Sequence, residues 1–276
     1  MSSVSRSVSR SVSRSILAGQ SNTLASIIKS LFANNEQGFF YDPNDLTTMW
    51  QDQAKLLPVT GAGQPVWHIL DKSGNNNHAF ATSSATRPIL QRNATTGAYY
   101  LAFDGADDFL QTSNIDFTGT DKVSLFAGVR KLSDASQGVL CELSSAWGSN
   151  SGSFIVLAPA YSGGAAYSIG ARLSKLDTAN HQSIIAGYSA PITNILSVLA
   201  STDTKIKVDG ILKATNTADK GTGSYGNYPL YIGRRGGTNL AFNGHIYGLI
   251  GIARLTTDSE TIALEKSIAK NVGVTL

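Results

Sequence analysis

Lys122-Val123-Ser124-Leu125-Phe126-Ala127-Gly128-Val129-Arg130 is the stretch on which the fold turns. Larger apolar residues alternate with small or polar ones along its start, the period-two pattern that sends successive side chains to opposite faces of a strand. The same reading extends outward in both directions. AYYLAF, DFLQT, GVLCEL, SFIVLA, AAYSIGA, TNILSVLA, TKIKVD, ILKAT, PLYIG and HIYGLIGIAR are short apolar runs, set between turn signals that recur every 8 to 15 residues from position 98 to 256. Eleven such strands with no helical pattern between them predict a mainly β protein, a two-sheet antiparallel sandwich or jelly roll.

Other elements flank this block. Residues 1–35 are a basic Ser/Arg arm, SVSRSVSRSVSR, running into an amphipathic helix. Ile16, Leu24, Ile27, Ile28, Leu31 and Phe32 recur at helical spacing, with Ser21 or Asn22 as N-cap, and their apolar face must be covered by the chain's own domain or by a partner. From residue 36 an opening segment leads into the sandwich. There Asp42-Pro43 suits the start of a short helix, and Leu70–Ala79 (LDKSGNNNHA) is turn-rich. At the C-terminus Thr257-Thr-Asp-Glu260 has the form of a capping box. Leu264, Ile268 and Val272 form a helical stripe, and Gly273 suits its end.

Charge and composition narrow the function. The chain has 276 residues and a net charge of +3, but Arg6, Arg10, Arg14 and Lys29 put +4 in residues 1–35, leaving 18 basic against 19 acidic residues elsewhere. The body therefore offers no electrostatic case for nucleic acid. Its apolar runs are too short for membrane insertion. The single cysteine, Cys141, forms no intrachain disulfide and reads as a buried strand position.

LDKSGNNNHA followed by YLAFDGADDFLQT (Tyr100–Thr112) resembles the opening of laminin-G-like domains of the concanavalin A-like lectin/glucanase group, with their D-x-S-G-N-x-N-H turn and F-D-G-x-D-D strand. The run Lys207–Val274 is similar to the end of such domains in virion proteins of tailed bacteriophages, and the resemblance covers roughly residues 38–276. It implies a concanavalin A-like jelly roll with a concave face or loop rim that takes glycans, and a place on the virion surface as a tail, fibre or capsid-decoration protein. A mitochondrial transit peptide, which the arm's composition alone would suit, loses its case.

Enzyme chemistry fares poorly. Glucanases of this fold use an E-x-D-x-E strand whose two carboxylates flank the glycosidic bond, whereas Glu36, Glu142, Glu260 and Glu265 are the only glutamates and none forms that motif. Asp104, Asp107 and Asp108 make the one tight acidic cluster, in a turn. Calcium is the one cofactor the resemblance allows, with Asp71, Asn75, Asn77, Asp104 and Asp107 as oxygen ligands. Gly221–Gly226 matches a phosphate-loop pattern by letter, but it precedes a strand and reads as a hairpin loop. No histidine pattern suggests a metal, and His78 belongs to its turn.

Two non-enzymatic functions remain. One is a structural virion protein anchored by its arm and forming a homo-oligomer; the other is an adhesin that binds a host surface glycan. For the second, Trp147 in SAWGSNSG is the leading stacking candidate, with Tyr225, Tyr228, Arg234 and Arg235 in GSYGNYPLYIGRRGG. For the first, the arm would as a strand align Val4, Arg6, Val8, Arg10, Val12 and Arg14 on one face, and as a helix Val4, Val8, Val12 and Ile16. Either presentation suits an acidic groove on another virion protein.

Overall fold

A computed structural model describes residues 24–176 and 182–276. Its chain order is α1 (Leu24–Leu31), β1 (Gly38–Tyr41), β2 (Met49–Trp50), β3 (His68–Ile69), β4 (Ala79–Phe80), β5 (Ile89–Arg92), β6 (Tyr99–Asp104), β7 (Leu110–Asp116), β8 (Val123–Lys131) and β9 (Val139–Leu143). There follow β10 (Ser153–Leu157), β11 (Ala166–Arg172), β12 (Gln182–Ala186), β13 (Ile192–Ala200), β14 (Thr204–Val208), β15 (Ile211–Asn216), β16 (Asn227–Ile232), β17 (Asn243–Ile252) and α2 (Asp258–Val272). Sheet A has the order β15-β14-β13-β8-β17-β6-β5, with β1 also paired to β17; sheet B runs β12-β11-β10-β9-β16-β7-β4-β3-β2. The strands pair antiparallel, giving the mainly β, two-sheet jelly-roll sandwich with an N-terminal and a C-terminal helix.

Strand β8 shows how the sequence builds this. Val123, Leu125, Ala127 and Val129 point between the sheets, while Phe126 points to the outer side of sheet A among residues of α1 and α2. Both faces of the strand are thus dry, and burying each large apolar side chain stabilises the fold by about 2 kcal/mol. Gly128 lies on the helix side. A Cβ there would come within 2.7 Å of Val272 and 2.8 Å of Ile268, so its bare backbone lets α2 approach. Gly128→Val is expected to lift that helix and cost about 2 kcal/mol, measured by urea unfolding; an unchanged midpoint would show that α2 adjusts freely.

Polar contacts then fix the helices. Glu265 on α2 is buried, accepts a hydrogen bond from Ser197 Oγ at 2.9 Å and pairs with Lys207 Nζ at 2.7 Å. The capping box forms as read: Thr257 accepts from the Glu260 amide, Glu260 accepts from the Thr257 amide, and Gly273 ends the helix at φ 75°. Helix α1 buries Ile27, Ile28 and Leu31 against the same outer face, so the apolar stripe that the sequence left unassigned is covered by the chain itself. Arg254 joins the parts, donating to Leu31 O, to Glu36 and to both oxygens of Glu260. The arm positions Val4, Arg6, Val8, Arg10, Val12, Arg14 and Ile16, and the N-cap at Ser21 or Asn22, lie outside the described residues.

Several local readings are corrected. The opening segment is part of the sandwich, supplying β1 to β5. The short helix expected from Asp42-Pro43 is a single 3-10 turn, Leu46–Thr48, capped by Asp45; Asp42 instead accepts from Asn44 N and Lys72 Nζ. Residues 221–226 connect β15 of sheet A to β16 of sheet B, so they form a crossing between sheets and not a hairpin. Strand β12, Gln182–Ala186, was missed because only Ile185 of its side chains enters the core.

The LDKSGNNNHA turn does structural work along the free edge of β1. The Asp71 carboxylate accepts from Phe40 N at 2.8 Å, Ser73 N at 2.8 Å, Ser73 Oγ at 2.7 Å and Asn77 N at 3.0 Å. Asn75 Nδ2 donates to Glu36 O and Gly38 O, Asn77 Nδ2 donates to Gly38 O, and Lys72 N donates to Phe40 O. Side chains here replace the neighbouring strand that an edge otherwise lacks. His78 belongs to the same turn, its Nδ1 accepting from Asp71 N.

Candidate functional site

The outer face of sheet B carries the arrangement most able to bind a ligand. Its pairing register places Trp50 opposite His68, His68 opposite Phe80, Phe80 opposite Gln111, and Gln111 opposite Tyr231. Tyr231 in turn faces Glu142, then Ile155, Gly170 and Gln182. Directly opposed residues point to one face, so these form a single line across all nine strands. Their neighbours Met49, Ile69, Ala79, Leu110, Leu230 and Ile232 turn into the core, which fixes the line on the outside.

The line has a covered half and an open half. Over β9 to β11, the loop after β9 folds back on the sheet, and Trp147 packs on Ile155, with its ring edge 3.3 Å from where a Gly170 Cβ would stand. Asn150 Oδ1 closes that loop by accepting from Ser145 N and Ala146 N, and the Arg172 guanidinium stacks on the Trp147 ring at 4.1 Å. Over β2, β3, β4, β7 and β16 the line is less covered: the loop after β2 touches its end, Gln53 at His68 and Lys55 at Trp50, and Trp50, His68, Phe80, Gln111 and Tyr231 are each half-buried. At about 4.8 Å per strand, these five span about 19 Å.

Unspent hydrogen-bonding groups lie among the rings. Trp50 Nε1, the Gln111 amide and the Tyr231 hydroxyl take no partner among the described residues. His68 lies 6.3 Å from Phe80, ring centroid to centroid, and its Nε2 is 3.0 Å from the carbonyl of Gln53. A carbonyl only accepts, so that nitrogen carries the proton; burial holds the ring below its ordinary pKa, leaving a neutral imidazole with Nδ1 as an acceptor. Lys55 Nζ lies 5.7 Å from the Trp50 ring at one end.

A charged cluster bounds the other end. Glu142 is fully buried and accepts from Arg235 Nε at 3.1 Å; burial pushes its carboxyl up, opposed by Arg235 and Arg172. Arg172 is also fully buried and donates to Asn150 O, Ser153 Oγ and Leu176 O. Glu142 Oε1 and Arg172 Nη2 have no hydrogen-bond partner. The line thus carries flat apolar surfaces with donors and acceptors between them, and its carboxylate, Glu142, is already engaged. No second carboxylate stands on the line among the described residues, whereas glycoside hydrolysis uses a pair.

The residues expected from the sequence are scattered. Trp147 is 5% exposed and Tyr225 1% exposed, so neither offers a ring face to solvent: Trp147 plugs its own loop, and Tyr225 packs edge-on to Phe154 inside the sandwich. Tyr228 is half-buried against the core, and Arg234 donates to Thr238 O within its turn. Arg235 reaches the line through Glu142, and Trp147 packs on its covered half at Ile155. The residues Trp50, His68 and Phe80 went unseen, since they sit on two-residue strands too short to show a period, and Gln111, on the longer β7, joins them only through strand register.

The expected calcium ligands are separated as well. Asp71 bonds to Phe40 and Asp104 pairs with Asn243, while Phe40 pairs with Ile250 of the same strand β17. Seven residues along a strand put them roughly 23 Å apart. The Asp71 carboxylate already accepts from four donors, and Asn75 and Asn77 are held through their Nδ2 groups, which bind the turn to β1. Asp104, Asp107 and Asp108 do converge, with ligand atoms within 4.8 Å of one another, and Asp108 is pushed up to about 7 by burial and by its two neighbours.

No protein-family model matches the chain, and no curated protein matches it in sequence. Solved structures do match its fold. The ligand-binding domain of botulinum neurotoxin serotype D, determined with N-acetylneuraminic acid, superposes with a TM-score of 0.53 at 12% identity, covering 87% of this chain and 52% of that one. Another structure of the serotype D binding domain gives 0.56 at 10% identity, covering 84% and 52%. A structure of botulinum neurotoxin type C, whose cell entry is described as dependent on interaction with two ganglioside molecules, gives 0.53 at 13% identity, covering 85% and 52%. This chain therefore spans about half the length of those domains, and at such identities the likeness is one of fold: the jelly-roll sandwich.

Proposed function

We propose that this chain is a non-catalytic, glycan-binding attachment protein of a tailed-bacteriophage particle, mounted through its N-terminal arm. The line Trp50–His68–Phe80–Gln111–Tyr231 carries the carbohydrate reading: aromatic faces suit pyranose C–H groups, and the unspent amide, hydroxyl, indole and imidazole groups suit sugar hydroxyls. Its strand-by-strand spacing resembles the advance of an extended glycan, so several sugar units would lie across the sheet. Fold neighbours described with N-acetylneuraminic acid and with gangliosides support the same class of ligand. The particle location rests on the phage-like run Lys207–Val274 and on an arm of alternating valine and arginine suited to an acidic groove of a virion partner. Assembly as a homo-oligomer belongs to the same reading.

Retention of the purified protein on host envelope polysaccharide tests the proposal. Trp50→Ala is expected to weaken binding about tenfold, the loss of one aromatic contact, with the melting temperature as a fold control. Wild-type protein that is not retained would sink the attachment reading and leave a purely structural virion role. That role has its own test: a chain beginning at Leu24 keeps α1 and should still fold but fail to join the particle.

A further inference from the structure

We infer that the ligand of the sheet B face is an acidic glycan, and that Arg235 reads its anionic group. The inference rests on the carbohydrate reading above and names the chemical class that the face selects.

Arg235 is held from behind. Its Nε donates to buried Glu142 at 3.1 Å, while Nη1 and Nη2 have no partner among the described residues and the side chain stays 28% exposed. A guanidinium pinned at Nε with both Nη groups free is a preset two-pronged donor, the geometry that matches a carboxylate or phosphate. Glu142 acts here as a positioning residue. It stands next to Tyr231 on the line, so the fork lies at the end of the row of sugar contacts.

The local charge points the same way. Glu142 is flanked by two guanidiniums, Arg235 and the fully buried Arg172, which leaves the cluster at +1. At the opposite end Lys55 stands over Trp50 with the ionised Asp52 in the same loop, so that end is close to neutral and the net positive charge stands at the Arg235 end. None of Asp104, Asp107 and Asp108 forms an ion pair with Arg234 or Arg235. The net positive charge along the line therefore stands at Arg235, and the line's own carboxylate, Glu142, lies buried behind that arginine. A neutral glycan would leave the Arg235 fork to water; an anionic one pairs with it.

A microarray of neutral and acidic bacterial polysaccharides tests this with the full-length chain. Hits are expected among acidic members, and a hit should lose about tenfold to a hundredfold in affinity when its carboxyls are reduced to alcohols, or its phosphates removed. Those two treatments tell a uronate ligand from a phosphate one. Arg235→Gln should cause the same loss toward the native glycan and none toward the neutralised one, and Arg235→Lys, which keeps the charge without the fork, should fall between. A salt titration of the wild-type protein needs no variant, and affinity should drop as salt rises. Hits confined to neutral glycans, or equal affinity before and after neutralisation, overturn the acidic assignment while leaving the binding face in place. An array with no hits overturns the glycan reading itself.

Discussion

Asp71→Ala is expected to destabilise the protein by about 3 kcal/mol and to release β1 from its outer support. The carboxylate accepts four hydrogen bonds, two from backbone amides of its own turn, one from the Ser73 hydroxyl and one from the Phe40 amide of β1. Hydrogen bonds to a charged group are each worth about 1.5–3 kcal/mol, and an amide left buried without a partner adds its own cost. Phe40 is such a case, its side chain being only 3% exposed under α1. Asp71→Asn keeps one acceptor oxygen and should lose roughly half as much. Denaturant unfolding gives the stabilities, and hydrogen exchange at Phe40 N gives the local effect. Full amide protection in the alanine variant would show that the turn does not hold the strand.

The second large effect is a pair of opposing pH dependences. Burial and nearby Arg130 hold His245 down to about 4 from 6.5, in a stack with Tyr100 at 4.0 Å. Between those values the unfolded chain binds a proton that the folded one refuses, so this stabilisation is present above pH 6.5 and lost as pH falls. Asp108, raised from 3.8 to about 7, has the reverse sign. Its folded carboxyl keeps a proton that the unfolded one releases, so its contribution is full below pH 3.8 and lost as pH rises through 7. Each is worth on the order of 2 kcal/mol after allowance for solvent screening. From pH 4 to 6.5 the two offset, and the wild-type stability should vary little. His245→Phe should then lose stability as pH rises, and Asp108→Asn should gain it. Variants whose pH profiles run parallel to the wild type would refute both assignments.

The fold was legible where the chemistry is local. Alternation in Lys122–Arg130 marked a strand, and Thr257, Glu260 and Gly273 marked both ends of α2 through contacts within a few residues. The site was not legible, because it is made by register. Met49–Trp50, His68–Ile69 and Ala79–Phe80 are two-residue strands, and nothing local says that Trp50, His68 and Phe80 stand side by side. Trp147 misled for the opposite reason. Its Gly, Ser and Asn neighbours suggest exposure, whereas the partner that buries it, Arg172, sits two strands away. The Asp71 turn was recognised by its letters, but its task of closing a sheet edge is visible only once β1 lies beside it.

The line across sheet B also bears on how recognition can change. Each of its residues comes from a different strand, and Trp50, His68, Phe80, Gln111 and Tyr231 each stand beside a core residue in sequence, Met49, Ile69, Ala79, Leu110 and Leu230. A substitution at one of the half-buried positions, Trp50, His68, Phe80, Gln111 or Tyr231, therefore changes one point of the outer face and leaves the core side chains in place. Such a surface can be rewritten one strand at a time, through single exchanges, without a stage at which the domain fails to fold.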